Sequence, residues 1–133
     1  MGKRSDLSAR APSQRQLRVG ETIRRRLAEI IERTELGDPL LDAIPITVSE
    51  VKISPDLRHA TVFVMPLGGQ QSEAVIEALR NRAGPIRGQL GHGLRLRSVP
   101  ELKFELDTSF EQAEAMNRLL AGITPSAGDD NPA

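Results

Sequence analysis

The run from Glu73 to Asp107 constrains the fold most, because it predicts three elements in direct succession. Apolar residues at helical spacing predict a helix that opens near Ser72. Gly84-Pro85 then predicts a break, since glycine leaves the helical region readily and proline is tolerated in the first turn of a following helix. Ile86 and Leu90, four residues apart, predict the buried side of a second, short helix.

The strand that completes this run is predicted from Arg95 to Leu106, where apolar and polar residues alternate. Pro100 has no N–H to donate to a neighbouring strand, which favours an edge position or a bulge at that point. The apolar members of the alternation share the face predicted to be buried: Leu94, Leu96, Leu102, Phe104 and Leu106.

The first helix of the chain is predicted to begin at Ser13, because Ser13-x-x-Gln16 matches a capping box. It is predicted to end at Leu36-Gly37-Asp38-Pro39, with glycine past the last turn and proline soon after. Its predicted buried face consists of Ile23, Leu27, Ile30, Ile31 and Thr34.

A β-hairpin follows, with strands predicted at residues 46–53 and 58–65 and a turn at Ser54-Pro55-Asp56-Leu57. The apolar residues change parity in the middle of the first strand. That change predicts a bulge near Ser49-Glu50.

The domain is expected to cover residues 13–121, between a flexible basic arm at 1–12 and a disordered acidic tail at 122–133. Thr108-x-x-Glu111 predicts a last helix, with Phe110, Ala113, Asn117 and Leu120 on one side. The order α-β-β-α-α-β-α predicts the α+β class. We expect a three-stranded mixed sheet covered by helices on one face.

The charge of the chain is balanced in total, with 18 basic and 18 acidic residues, but unevenly placed. Between Ala78 and Pro100 there is no Asp or Glu, and the arginines there are Arg80, Arg82, Arg87, Arg95 and Arg97. Such a concentration favours a polyanion such as RNA, although a merely solvated face is the alternative. On the first helix, Arg18 and Arg25 are predicted to extend this phosphate-contacting surface.

Several function classes are disfavoured by composition. The chain has no Cys, Trp or Tyr and three Phe, so thiolate chemistry is excluded and base stacking on exposed aromatic residues is not expected. No apolar run approaches the roughly 20 residues that span a bilayer. We find no phosphate-binding glycine loop and no His pair at ligand spacing, so we expect no enzyme activity, metal or cofactor. A cytoplasmic location is the default expectation.

Other chemically suggestive residues have structural interpretations. His59 and His92 are expected to be structural or solvent-facing. Strand alternation places Glu101, Glu105 and Asp107 on a solvent face beside Lys103, where cross-strand pairing explains them. Gly88-Gln89-Leu90-Gly91 matches the G-x-x-G loop of K-homology domains, but Leu90 is expected in the core, which argues against a clamp loop there.

Two segments resemble the ribosome-binding factor A family, and the element order is that of a type II K-homology fold. They are Val51–Val64 (V-K-I-S-P-D-L-R-H-A-T-V-F-V) and Ile86–Phe104, whose run R-L-R-x-V-P-E-L-x-F is the more specific. The basic first helix, from Arg18-Val19-Gly20-Glu21 to Ile30, is similar too. The resemblance covers roughly residues 15–121.

The resemblance implies a bacterial assembly factor without catalytic activity, which we expect to be monomeric. Such factors bind the immature small ribosomal subunit, act late in maturation of 16S rRNA at its 5′ end, and are linked to growth in the cold. In the family an Ala-x-Gly kink replaces the G-x-x-G loop. Here Arg82-Ala83-Gly84 corresponds to it: Gly84 keeps the kink glycine, whereas Arg82 and Pro85 depart from the family pattern.

The predicted RNA-binding residues are therefore Arg18, Arg25, Arg80, Arg82, Gly84, Arg87, Arg95 and Arg97. The partner would be 16S rRNA within the small subunit. The alternative is a protein-interaction domain, whose acidic C-terminal helix meets a ribosomal protein or another assembly factor.

Overall fold

The structure, a computed structural model, describes residues 11–33, 36–94 and 98–123. In chain order the elements are α1 (Gln14–Arg33), α2 (Pro39–Ala43), β1 (Ile46–Ile53), β2 (His59–Pro66), a 3₁₀ turn (Leu67–Gly69), α3 (Ser72–Asn81), α4 (Ala83–Gly93), β3 (Glu101–Leu106) and α5 (Ser109–Ile123). The predicted α+β, K-homology-like order is confirmed.

The sheet has the strand order β1-β2-β3, with β1 antiparallel to β2 and β3 parallel to β2. The predicted bulge is confirmed, because the register shifts between Val48, opposite Val64, and Glu50, opposite Phe63. β3 lies at the edge of the sheet, which fits the proline that precedes it.

The core lies between this sheet and the helices α1, α3 and α4, which cover one of its faces. Its fully buried large side chains are Phe104, Ile23, Leu27, Ile30, Leu79, Ile86, Leu90, Val62, Val64 and Val75. Each such burial contributes about 1.5–3 kcal/mol relative to exposure. Helix α1 approaches β1 so closely that a Cβ at Gly20 would lie 2.7 Å from the Val51 carbonyl oxygen.

The start of α1 is the predicted capping box. Gln16 N donates to Ser13 Oγ at 3.1 Å, and Ser13 N donates to Gln16 Oε1 at 2.8 Å. These reciprocal bonds satisfy backbone donors that the first turn leaves unpaired. Thr34, predicted at the other end of the buried face, lies outside the described residues.

The uncovered face of the sheet carries balanced charge. Lys103 Nζ lies 3.1 Å from Glu105, which is half-buried. His59 Nδ1 lies 3.8 Å from Glu101 on the neighbouring strand, and both of these side chains are largely exposed. Lys52 Nζ lies 5.5 Å from the centre of the Phe63 ring. The predicted cross-strand pairing is therefore found for Glu101 only. Glu105 pairs with Lys103 of its own strand, and Asp107 accepts hydrogen bonds from the hydroxyl groups of Ser49 and Ser109.

The break between α3 and α4 lies at Arg82, so its predicted location at Gly84-Pro85 is wrong. Arg82 has φ −104° and ψ 10°, and it separates the two helices. Gly84 and Pro85 lie in the first turn of α4, where the missing N–H of proline costs no intrahelical hydrogen bond.

The third strand is shorter than the predicted Arg95–Leu106. It begins at Glu101, and Ser98–Pro100 are not extended partners of β2. The carbonyl oxygens of Val99 and Pro100 instead accept hydrogen bonds from Arg87. Residues 95–97 lie outside the described residues.

Helix α2 was not predicted, and α5 does not join the core. Asp38 caps α2 by accepting from Leu40 N at 2.9 Å, with Pro39 at the first helical position. In α5, Phe110 is 65% and Leu120 is 52% exposed. The predicted arm and tail fall mostly in 1–10 and 124–133, outside the described residues, so the domain limits stay predictions.

Candidate nucleic-acid interface

The arginines of α3, the break and α4 bond to main-chain carbonyl oxygens. Arg80 donates from Nη2 to Phe104 O at 3.2 Å, and Arg82 donates from Nη2 to Gly37 O at 2.8 Å. Arg87 donates from Nη2 to Val99 O at 2.6 Å and from Nε to Pro100 O at 3.1 Å. A carbonyl oxygen orients a guanidinium group but carries no formal charge. These three residues therefore keep their full positive charge.

The three guanidinium groups point to different parts of the fold, so the structure does not bring them into one cluster. Arg80 reaches the free edge of β3, where Glu73, Glu77 and Glu105 line the same depression. Three carboxylates around one guanidinium make this region acidic. Arg80 therefore contributes least to a positive surface.

Arg82 connects the helix break to the segment between α1 and α2. Its side chain is half-buried, and its Nε is buried without a hydrogen-bond partner in the described ranges. The accepting residue, Gly37, has φ +80°, a conformation that favours glycine. Arg82 thus both stabilises a tertiary contact and supplies positive charge at the break.

The outer face of α4 carries two exposed glycines, Gly84, which precedes Arg87, and Gly88, which follows it. They are four residues apart and therefore on the same side of the helix. An added Cβ at either would meet nothing within 4 Å in the part of the chain that the structure describes. Neither glycine is needed for internal packing. The face is smooth enough for another backbone to approach closely.

On α1, by contrast, arginines pair with glutamates of the same helix. Glu21 accepts from Arg24 at 2.7 Å and from Arg25 at 3.0 Å, and Arg26 lies 3.3 Å from Glu29. Hydrogen bonds from Arg24, and then from Arg25, lower the pKa of Glu21 from 4.5 to about 2. These pairs cancel much of the charge that the sequence concentrates on α1.

The predicted residues Arg18 and Arg25 are both exposed and lie seven residues apart, on the same outer face of α1. Helix α1 packs beside α4, where the Arg26 side chain lies against Gly93. The two helices could therefore contact one extended partner. Arg95 and Arg97 lie outside the described residues, and their RNA contacts stay predictions.

Two residues that the sequence analysis did not assign to the interface, Arg58 and His59, lie next to Arg87. They line a depression of about 310 Å³ together with Arg87, Ser98, Val99 and Glu101. The sequence could have indicated this proximity, because the predicted mixed sheet requires one parallel pair of strands. Once His59 is opposite Glu101, the start of β2 must lie beside the segment that Arg87 contacts.

A separate apolar surface lies at the opposite end of the sheet. Its exposed side chains are Met65, Leu67 and Phe110, and α5 continues from Phe110 with the exposed apolar residues Met116, Leu119 and Leu120. Near the start of α5 a groove of about 580 Å³ runs between the end of β2 and Phe110. Exposed apolar groups of this kind are typical of protein contacts.

No group of three or more metal-ligating side chains occurs within the described residues. None of the helices there is long and apolar enough to cross a membrane.

Comparison with known proteins gives one consistent family. The family model of ribosome-binding factor A matches residues 15–120. "Ribosome-binding factor A" of Phenylobacterium zucineum is 53% identical over 108 residues, which is 81% of this chain and 74% of that protein. The Parvibaculum lavamentivorans protein of the same name is 48% identical over 117 residues, or 88% and 84% of the two chains.

Solved structures agree. The crystal structure of ribosome-binding factor A from Thermus thermophilus has a TM-score of 0.60 at 27% identity, over 68% of this chain and 93% of that one. A model of the Thermus thermophilus factor, fitted into a cryo-EM map of its complex with the 30S subunit, has a TM-score of 0.54 at 26% identity, over 67% and 91%. The predicted resemblance is confirmed: this chain belongs to the ribosome-binding factor A family.

Proposed function

We propose that this protein is a ribosome assembly factor that binds the immature small subunit and assists late maturation of the 5′ end of 16S rRNA, without catalysis. Family membership and the 30S complex of the Thermus thermophilus relative support small-subunit binding. The structural observation that supports binding to rRNA concerns the outer face of α4. There Arg82 and Arg87 keep their charge, and Gly84 and Gly88 add a surface without side chains.

This arrangement suits a phosphate backbone for two reasons. The carbonyl bonds hold the guanidinium groups in place, so less side-chain entropy is lost when a phosphate binds. Gly84 and Gly88 let the RNA backbone approach without steric contact. The protein would act by holding rRNA in one conformation during maturation and leaving when the subunit is complete.

The decisive experiment substitutes Gly88 by Ala. Because the space around Gly88 is open, alanine should stabilise α4 by up to about 1 kcal/mol through its higher helix propensity. The same methyl group would keep a phosphate backbone farther from α4. We expect a higher melting temperature together with weaker co-sedimentation on free small subunits.

Gly122→Ala is the matched control, since Gly122 lies in α5 and has equally open surroundings in the described chain. It should leave subunit binding unchanged. If Gly88→Ala also binds normally, the glycine face of α4 does not contact rRNA. If the wild type sediments equally with small subunits, large subunits and ribosomes, its affinity is a general one for polyanions.

A second candidate function is favoured by one observation, the exposed apolar side of α5. Met116 and Leu119 are 54% and 59% exposed, on a helix that also carries Glu111 and Glu114. This helix suits a ribosomal protein or another assembly factor. Met116→Ser with Leu119→Ser would abolish binding under this alternative and leave it unchanged if rRNA contacts alone carry the affinity.

A further inference from the structure

We propose that the depression lined by Arg58, His59, Arg87, Ser98 and Glu101 binds a backbone phosphate of RNA. The inference rests on the proposed function and extends the rRNA contact from α4 around to the β1–β2 turn. This phosphate pocket, as we call it, has a volume of about 310 Å³. It lies at the low end of the roughly 300–1,000 Å³ typical of small-ligand pockets.

The backbone that carries Arg58 is held on both sides. Arg58 N donates to Asp56 Oδ1 at 3.0 Å, and Arg58 O accepts from Glu101 N at 2.8 Å. In the next residue, His59 N donates to Ser54 Oγ at 3.0 Å. These hydrogen bonds therefore fix the backbone position of Arg58 beside β3.

The opposite wall is equally constrained. Arg87 uses Nε and Nη2 to bind the carbonyl oxygens of Val99 and Pro100. Its Nη1 donors bond to no acceptor among residues 11–33, 36–94 and 98–123. The carbonyl bonds also position the segment that carries Ser98. Two walls that are each fixed by main-chain hydrogen bonds make the pocket pre-formed, which lowers the entropic cost of binding.

The pocket has more donors than acceptors. The Arg58 guanidinium makes no hydrogen bond or ion pair within the described chain, and Arg87 Nη1, the Ser98 hydroxyl and the His59 imidazole add further donors. Its lining contains one carboxylate, Glu101, which is exposed and lies 3.8 Å from His59 Nδ1. The carboxylate of Asp56, in the adjoining turn, also interacts electrostatically with His59 and Arg58. A tetrahedral anion with several acceptor oxygens satisfies such a set, and arginine forks match phosphate geometry.

Two other depressions among the described residues differ in charge. One of about 660 Å³ beside α1 contains Arg24 and Arg33 but also Glu32 and Asp42. The depression at Arg80 is acidic. Because these two depressions contain as many or more acidic than basic side chains, the pocket near Arg58 is the better site for a phosphate.

The first test is an NMR titration of the ¹⁵N-labelled full chain with hexauridylate, inorganic phosphate or hexaglutamate. We expect the side-chain signals of Arg58 and Arg87 and the amide of Ser98 to shift with hexauridylate, and with inorganic phosphate at higher concentration. Shifts that are confined to other residues, or equal shifts with hexaglutamate, would overturn the assignment to a phosphate.

The second test uses Arg58→Ala, with Arg118→Ala on α5 as the matched exposed-arginine control. We expect hexauridylate affinity to fall about threefold to tenfold for Arg58→Ala, between the effects of an exposed ion pair and of a charge-assisted hydrogen bond. Its log–log salt slope should decrease by about 0.7, the single-strand value for one phosphate. Equal affinities for both variants would refute the pocket.

Sedimentation with small subunits separates this inference from the proposed function. If the wild type binds small subunits and Arg58→Ala binds equally well, the pocket fails while the proposed function stands. If the titration maps to the pocket but the wild type does not bind subunits, the pocket stands and the proposed function fails.

Discussion

The arginines of α1 and α4 lie on neighbouring helices but bond to different kinds of acceptor. On α1, Arg24 and Arg25 share the carboxylate of Glu21. On α4, Arg87 binds two carbonyl oxygens. An ion pair cancels charge at a distance, whereas a carbonyl group orients the guanidinium without cancelling its charge. The sequence alone therefore overstates the uncompensated positive charge of α1 relative to that of α4.

The largest effect is expected for Arg87→Gln. Under the proposed function, the substitution removes a charge that contacts rRNA, and it also loosens the segment at residues 99–100. Subunit affinity should then fall about tenfold to a hundredfold, as for a lost charge-assisted hydrogen bond. Arg25→Gln is the control, and it should have less than a twofold effect because Glu21 and Arg24 remain paired. Binding can be measured by sedimentation at two salt concentrations, with circular dichroism to check folding.

Arg87→Lys refines this comparison. Lysine keeps the charge but cannot reproduce the forked bonds to Val99 and Pro100. We expect an intermediate affinity with an unchanged salt slope. If Arg87→Gln and Arg25→Gln lose the same affinity, the distinction between the two helices has no functional meaning.

A moderate effect, on stability rather than binding, is expected for Arg80→Gln. Arg80 covers the Phe104 carbonyl at the edge of β3, so its loss should lower the free energy of unfolding by about 1 kcal/mol, the net value of one hydrogen bond. Subunit affinity should change less than twofold, because Glu73, Glu77 and Glu105 already surround the charge. Urea unfolding and sedimentation measure the two quantities. A large loss of affinity at constant stability would place Arg80 in the RNA contact.

The smallest effect is expected for Glu21→Gln, which leaves Arg24 and Arg25 without their shared partner. If α1 borders the RNA, the two released charges should strengthen subunit binding and steepen the salt slope by up to about 0.9 per additional phosphate. Weaker binding would mean that Glu21 itself positions a contacting arginine.

The same substitution has a pH signature. The pKa of Glu21 is about 2 in the folded chain, below its ordinary value of 4.5. A carboxyl with a lowered pKa stabilises the fold above the unfolded pKa, and this contribution is lost as pH falls through the folded value. The difference in melting temperature between wild type and Glu21→Gln should therefore be constant above pH 4.5 and disappear towards pH 2. A difference independent of pH would exclude the ion pairs as its source.

Features that depend on a few neighbouring residues were predictable from the sequence. The Ser13–Gln16 capping box, the buried spacing of α1, the hairpin with its bulge and the order of the elements all appear in the structure. Asp38-Pro39 could have revealed α2 by the same kind of rule, since it places a capping side chain before a proline at the first helical position. Local hydrogen bonding and apolar periodicity involve residues within one or two helical turns of each other, so the sequence alone determines them.

Tertiary structure alone decided which charges remain available and where the candidate sites lie. Arg82 bonds to Gly37 across 45 positions of the chain, and Arg58 shares a pocket with Arg87 because β2 and β3 run parallel. The exposed side of α5 depends likewise on which surfaces the core leaves uncovered. A guanidinium group bonds to whichever acceptor the fold brings within about 3 Å. Residues far apart in the chain meet only when the whole sheet and its helices have formed, so spacing in the sequence does not encode these contacts.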